Sequence, residues 1–472
     1  MRLLIIEDNE TFLTELQEAL NGIGGLEVEV ATSRNSAIEK LHSKDFDLIT
    51  CDLKIPTQDG GLDANVEHGR VVYREALDAT PGTPIIVLSA FGNDTLPDLM
   101  EVAHNGDYFG TNTPLPMVSF FDKGRLAECI DRIKECTEQL SVLDGIEITP
   151  PGFPVSYFEK RALRIFARRL EGTVLTVSEL GGGLSKTRTL KVRIRGDGGV
   201  HKALVAAKLG ARGLIADEKT RYEKFVSPAL GAGSHAGFAG EVKQGAGKIA
   251  ALFYKLDDRY DRSMFDVLRT SPDNGALTVT QVRQRTEPWR TDSPQRRTSV
   301  REIRNGLMSD DSLHGCLHYL KGIDIDAFEA KELEVHQCAQ HCDFHGSNIL
   351  VDAEHRTLLI DYGEVGEATA SLDPIILELS VLFHPDGAAV RDEWPSLTQL
   401  ESWNDLDTYT KNCPVAEFVR ACRLWAFEVA AGGREVFANL YAYSARQLEY
   451  ADTNKDFAVA LIRVAIRGFE ST

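Results

Sequence analysis

The stretch Gln340-His341-Cys342-Asp343-Phe344-His345-Gly346-Ser347-Asn348-Ile349-Leu350-Val351 holds a dense set of residues able to do chemistry. Asp343 and Asn348 sit on a loop, and Ile349-Leu350-Val351 then reads as a short buried strand. A polar turn, Asp352-Ala353-Glu354-His355, leads into a second strand at 357–360, and Asp361-Tyr362-Gly363 stands at its end. That geometry converges two carboxylates and one amide on a single point. Phosphoryl transfer needs such a set: one carboxylate to accept the proton of a hydroxyl, and an amide with a second carboxylate to hold magnesium on the phosphates. The bland alternative is an Asp/Asn-rich turn between two strands. Two motifs in this order and spacing favour the chemistry.

A second set lies near the start of the chain. Apolar runs at 3–6, 26–30, 46–51, 84–89 and 117–121 read as strands, and 11–20, 37–41 and 125–140 as helices between or after them. Strands alternating with helices imply a doubly wound, five-stranded parallel sheet, whose site lies at the carboxyl ends of its strands. Glu7, Asp8, Asp52, Ser89 and Lys123 stand at those ends. Three carboxylates brought together repel one another unless a divalent cation sits among them. A carboxylate beside magnesium and a lysine can accept a phosphoryl group.

This second set resembles the receiver domain of two-component response regulators, over residues 1–142. Asp52-Leu53-Lys54-Ile55-Pro56 matches the D-x-x-x-P around the family's phosphoacceptor. The resemblance implies phosphorylation of Asp52 by a sensor histidine kinase, magnesium at Glu7, Asp8 and Asp52, and phosphate contacts from Ser89 and Lys123. Phe120 matches the aromatic switch position. Two departures stand out. Gly124 replaces the usual proline after the lysine, and 57–69 is longer than the usual loop, carrying Asp59, Asp63 and Glu67. Such an extension can alter partner choice or phosphate lifetime.

The pattern H-x-D-x-x-x-x-N followed by I-D-Y-G resembles the catalytic and metal loops of protein-kinase-like phosphotransferases, and H-x-D-x-H-x-x-N looks closest to the aminoglycoside and choline phosphotransferase branch. The resemblance implies a bilobal α+β kinase-like fold, with a small lobe at 173–256 and a helical large lobe at 257–472. Asp343 would be the base, Asn348 and Asp361 would hold magnesium, and His341 and Asp373 would support the catalytic loop, Asp373 also capping a helix. No A-P-E segment follows, which counts against an ordinary protein kinase.

The elements that must position these residues read as follows. Residues 143–172 form a linker, broken at Pro150-Pro151-Gly152-Phe153-Pro154, and a connecting helix at 155–170. The helix has a basic face, Lys160, Arg161, Arg164, Arg168 and Arg169, suited to docking on acidic neighbours or to relaying a signal. Strands at 173–180 and 188–195 flank Gly181, Gly182, Gly183 and Ser185. Glycines there let the backbone approach phosphates, although a flexible hairpin is the common explanation. Lys208, on a strand at 203–208, resembles the phosphate-contacting lysine of kinase-like folds. On a helix at 214–226, Glu218 shares a face with Leu214, Tyr222 and Phe225, and is its chosen partner. Strands at 238–243 and 248–256 complete the small lobe. In the large lobe, 283–301 reads as an exposed insertion, and 327–337, 415–431, 436–445 and 457–469 as helices. Trp403 and Trp425 are expected in the core.

The chain has 472 residues, too many for one core. Its net charge of -19 opposes binding to nucleic acid. No apolar run reaches the length of a membrane span, and the first residues do not form a signal peptide. Eight cysteines without a CxxC suggest reduced thiols. The expectation is a cytoplasmic response regulator whose output is an ATP- and magnesium-dependent phosphotransferase acting on a small-molecule or protein hydroxyl, the acceptor being unidentified. It involves no nucleic acid and no membrane, and the receiver allows a homodimer. The alternative is a catalytically silent nucleotide-binding scaffold that signals to protein partners. A transcription regulator is disfavoured by the acidic charge and the lack of a basic recognition helix.

Overall fold

The computed structural model describes residues 1–90, 105–150, 152–180 and 187–472. Gly181, Gly182, Gly183 and Ser185, the expected phosphate-cradling hairpin, lie outside the described residues. Two compact units emerge: Met1–Ala216 with Phe238–Lys255, and Asp217–Gly237 with Leu256–Thr472.

In the first unit, β1 (Arg2–Ile6), β2 (Glu27–Ala31), β3 (Leu48–Cys51), β4 (Ile85–Ser89) and β5 (Val118–Asp122) form a parallel sheet in the order β2-β1-β3-β4-β5. Helices α1 (Glu10–Leu20), α2 (Arg34–Ser43), α3 (Val66–Ala79) and α4 (Leu126–Asp144) accompany it. Leu16 and Ile133, from α1 and α4, share one apolar cluster with Leu3; Ala37 and Val72, from α2 and α3, share another with Leu4. Alternate residues of β1 thus feed opposite faces, which is why its run is continuously apolar.

The expectation of a loop over 57–69 needs correction. Asn65 accepts the N–H of Glu67 and starts α3 at Val66. Gly69 then passes so close to the chain after β3 that a Cβ would stand 2.2 Å from the Leu53 carbonyl. Asp59 accepts the Thr32 and Ser36 hydroxyls, and Asp63 accepts the Thr57 N–H, so both carboxylates are held locally.

The pattern break at 141–154 is not a bare linker. α4 continues to Asp144, and β6 (Glu147–Thr149) adds in parallel to β7 (Val174–Glu179). With β8 (Arg188–Arg195), β9 (His201–Ala211), β10 (Phe238–Val242) and β11 (Ile249–Lys255), these form a sheet in the order β10-β11-β9-β8-β7-β6. Helix α5 (Tyr157–Arg169) packs on it, with the Phe166 ring stacked 3.7 Å from that of Phe253. A single apolar cluster runs from Leu3 and Ile5 through Phe158 and Ile165 to Leu190 and Phe253.

The basic face of α5 docks on acidic neighbours, as expected. Arg169 pairs with Asp107 at 2.9 Å, Arg164 with Asp144 at 2.7 Å, and buried Arg161 lies 3.7 Å from Asp47. A hairpin that sequence reasoning missed pairs Asn105–Gly106 with Leu115–Pro116 and carries Tyr108 and Phe109 into the shared core. Gly245 donates its N–H to the Gly82 carbonyl at 2.8 Å, so the turn between β10 and β11 touches the turn before β4. Helix α6 (Arg212–Arg221) follows β9 and ends in a π turn, Tyr222–Val226.

In the second unit, β12 (Gln295–Ser299), β13 (Glu332–Gln340) and β16 (Gly366–Thr369) form one sheet, while β14 (Ile349–Val351) and β15 (Thr357–Leu359) form a hairpin. Helices α7 (Gly275–Thr286), α8 (Leu372–Phe383), α9 (Ala416–Val429), α10 (Gly433–Arg446) and α11 (Lys455–Ser471) surround them. Two expectations are overturned. Residues 327–337 are mostly strand, because Leu333 and Val335 alternate inward against β12. Residues 283–301 are not a free insertion, because they end α7 and supply β12. Trp403 and Trp425 are buried, as expected. Among the described residues no helix is long and apolar enough to cross a membrane.

Candidate functional site

The ends of β1 and β3 bring Glu7, Asp8 and Asp52 together, each with a carboxylate oxygen within 4.8 Å of the others. Lys123, just past β5, reaches back with Nζ 2.6 Å from Asp52 Oδ2 and 2.8 Å from Glu7 Oε1. Its ammonium also lies 4.7 Å from the centre of the Phe12 ring. Burial pushes the Glu7 carboxyl up even though Lys123 opposes the rise, and burial likewise raises Asp8. Lys123, with Lys54 farther off, does not neutralise three crowded carboxylates. A hard divalent cation would, and the all-oxygen donor set fits magnesium. Ser89 is buried at the end of β4, in register with Asp122 of β5. Phe120 is half-buried on β5 and packs against the apolar cluster that holds Val72.

The second site is one loop held from beneath. Asp373 is buried, and its carboxylate accepts the N–H of His341 at 2.7 Å and that of Cys342 at 2.9 Å. Its expected role as helix cap needs correction: Ser371 stands at the N-cap position of α8, and Asp373 lies in the first turn. The buried His341 ring contacts the Ile360 carbonyl through Nε2 at 3.0 Å. Ile360 N–H donates to the Asn348 carbonyl at 3.1 Å, which ties the loop to the residue before Asp361. Asn348 donates its side-chain amide to the Asp343 carbonyl at 2.9 Å.

Cys342 and Asp361 are left-handed, with φ of 63° and 65°. Such backbone costs about 1–3 kcal/mol per residue and persists where the surroundings over-determine it. The two Asp373 hydrogen bonds supply that constraint at Cys342. His345 Nε2 lies 3.5 Å from Asp343 Oδ2. Burial pushes Asp343 upward, but the neighbouring His345, Arg446 and His341 outweigh it and hold the carboxyl well below the ordinary range. Asp373, by contrast, is raised by its burial.

Lys208 is buried on β9 of the first unit, between Thr189 of β8 and Leu252 of β11 in register. Glu218 is buried in the second unit. There the helix packs on the segment after Asp361: Tyr222 lies 5.2 Å from the Tyr362 ring, and Arg221 Nη1 donates to the Val365 carbonyl at 3.0 Å. Glu218 itself adds to the negative field that raises the Tyr362 phenol, after burial and Tyr222. His384 and Arg446, both close to the Asp343 loop, were not singled out from sequence. Neither belongs to a local motif, and only the packing of α8 and α10 brings them there.

Residues 3–106 match the family model of the response regulator receiver domain. A protein-glutamate methylesterase/protein-glutamine glutaminase from Natronomonas pharaonis is 28% identical over 133 residues, 28% of this chain and 34% of that protein. A protein of the same description from Vibrio parahaemolyticus serotype O3:K6 is 30% identical over 95 residues, 20% of this chain and 23% of that protein. The chain thus spans about a third or less of the length of these curated relatives. A solved CheY-like response regulator receiver domain protein from Methanospirillum hungatei is 20% identical, covering 30% of this chain and 97% of that one with a TM-score of 0.22. The N-terminal part of the chain is therefore a receiver domain. Receiver domains bind magnesium at an acidic site of this kind and generally receive phosphoryl groups from histidine kinases.

Proposed function

We propose that this chain, beginning with a receiver domain, is a response regulator phosphorylated on Asp52 whose remainder is an ATP- and magnesium-dependent phosphotransferase acting on a hydroxyl. The observation that carries the output reading is the Asp373 lock: two hydrogen bonds from one buried carboxylate hold the His341–Cys342 backbone, and the Ile360–Asn348 bond ties Asp343, Asn348 and Asp361 into one loop system. A mere turn between two strands needs no buried carboxylate beneath it.

Bound magnesium and ATP would supply the phosphoryl group and neutralise its oxygens, with Asn348 and Asp361 as metal ligands. Asp343 would orient the acceptor hydroxyl. A carboxylate held so low is a weak proton acceptor in the ground state, so it would take the proton late, as the oxygen becomes acidic during transfer. In the receiver, Asp52 would be the phosphoacceptor, with Lys123 and Ser89 facing the incoming oxygens and Phe120 as the switch. Phe121, next to that switch on β5, packs against the shared core, which supports a mechanical link from β5 to the sheet carrying Lys208.

The depressed Asp343 also favours a second reading, a nucleotide-binding scaffold without transfer. ATP should stabilise the full chain in a magnesium-dependent way under both readings. Label transfer from ATP to a hydroxyl separates them, because a scaffold binds the nucleotide and transfers nothing.

A further inference from the structure

Beside the Asp343 loop stands a cation that neither magnesium nor nucleotide binding uses. Arg446 closes α10, and its Nε donates to the Tyr450 hydroxyl at 2.9 Å, the only side-chain hydrogen bond that the guanidinium makes among the described residues. Contacts fix its place. Tyr443, one turn earlier on α10, packs on Phe383, with ring centres 6.2 Å apart. The neighbouring His384 stacks on His345 at 4.4 Å, and His345 lies 3.5 Å from Asp343. The last turn of α10 therefore borders the Asp343 side of the loop. Among the described residues Arg446 and Asp343 form no direct ion pair. Tyr450 fixes one nitrogen of the guanidinium, leaving its outer edge for another partner.

A cation at a helix C-terminus is ordinary, since it complements the helix dipole. The dipole does not account for a guanidinium that is steadied by a tyrosine outside the helix. Nearby Asp386 accepts the Ser347 hydroxyl at 2.8 Å, so that carboxylate already has a partner. A half-buried arginine with a free planar edge suits bidentate recognition of phosphate or carboxylate. In a chain of net charge -19, an anionic compound needs such a local cation to approach.

We propose that Arg446 recognises an anionic group on the acceptor, so that the phosphotransferase substrate is a hydroxyl compound bearing a phosphate or a carboxylate. This rests on the phosphotransferase reading above, and the experiment separates the two. In its first arm, full-length protein saturated with magnesium and a non-hydrolysable ATP analogue is titrated with inorganic phosphate. Arg446→Gln should weaken phosphate binding at least tenfold, and Arg446→Lys, which keeps the charge but loses the fork, should fall between. Equal affinity in all three proteins would overturn the subsite.

In the second arm, label transfer from ATP is compared among glucose, glucosamine, gluconate and glucose 6-phosphate. Wild type should favour the anionic acceptors. Arg446→Gln should lose that preference about tenfold, while the KM for ATP stays within twofold. Preference for gluconate or for glucose 6-phosphate assigns the anion as carboxylate or phosphate. Transfer without charge preference would reject the subsite and keep the enzyme. Phosphate binding that depends on Arg446, with no transfer to any acceptor, would keep the subsite and reject the phosphotransferase.

Discussion

The two acidic sites of this chain are charged in opposite senses. In the receiver, burial raises Glu7 and Asp8, and the nearby lysines do not offset it. In the Asp343 loop the neighbouring His345 and Arg446 outweigh burial, and Asp343 is held low. The first site is built to be completed by a cation from solution. The second holds its carboxylate low with the protein's own groups. Their construction differs too. Strand ends far apart in sequence make the first, whereas one loop, locked by Asp373 and His341, makes the second.

The largest expected effect concerns the first site. Asp52→Asn should abolish labelling by acetyl phosphate in magnesium, measured by intact-protein mass spectrometry. Undiminished labelling would move the phosphoacceptor elsewhere and end the contrast.

Next comes the lock. Asp373→Ala leaves two backbone N–H groups without partners, each worth about 1–3 kcal/mol, so unfolding free energy should fall by about 2–6 kcal/mol. Asp373→Asn, able to accept only one of those bonds well, should lose about half as much. A loss under 0.5 kcal/mol for the alanine variant, by chemical denaturation at a threshold drawn from ordinary surface changes, would mean that the loop is held by other contacts.

The opposite shifts give opposite pH slopes. A raised carboxyl contributes stability below its unfolded pKa of about 4 and loses it as pH rises through its folded value. Without magnesium, protection of the receiver should therefore fall as pH climbs above that range, and Glu7→Gln should flatten the fall. A depressed carboxyl contributes stability above the same point and loses it as pH drops, so Asp343→Asn should flatten the acid limb of the second unit. Hydrogen exchange resolved by region reads both slopes. Parallel slopes would break the comparison.

The smallest effect tests whether the receiver speaks to the sheet behind it. Tyr157 donates its hydroxyl to Asp47 at 2.9 Å, where α5 meets the chain leading into β3. Tyr157→Phe should cost about 1 kcal/mol of stability. It should also reduce the change in ATP affinity that phosphorylation of Asp52 produces, as should Phe120→Ala. Coupling energies are typically about 1–3 kcal/mol, a several-fold effect on affinity. Unchanged coupling in both variants would confine the receiver to recruiting partners.

What could be read from the sequence follows the same division. The receiver sheet was legible because most of its strands are short apolar runs followed by a polar residue, and β2 alternates Val with Glu. The Asp343 loop was legible because its chemistry is compressed into one stretch. What stayed hidden depends on distant partners. β13 reads poorly because it changes partner along its length, pairing 332–336 with β12 and 337–340 with β16. The inward phase slips there, from Leu333 and Val335 to Cys338 and Gln340, and period two is lost. Glu147–Thr149 becomes a strand only because β7 offers it an edge. Tyr108 and Phe109 look like loop aromatics until α5 and α4 enclose them. Arg446 carries no local signal, and its place is set by the packing of α10.

The central claim is that the Asp343 loop transfers a phosphoryl group. The most direct measurement follows label from ATP into a hydroxyl acceptor, with ATP affinity determined on the same samples, for wild type and Asp343→Ala. The expected result is magnesium-dependent transfer by wild type and a variant that binds ATP within twofold of wild type yet transfers at least about a hundredfold more slowly. Equal transfer by the variant, or ATP binding without any transfer by wild type, would contradict it.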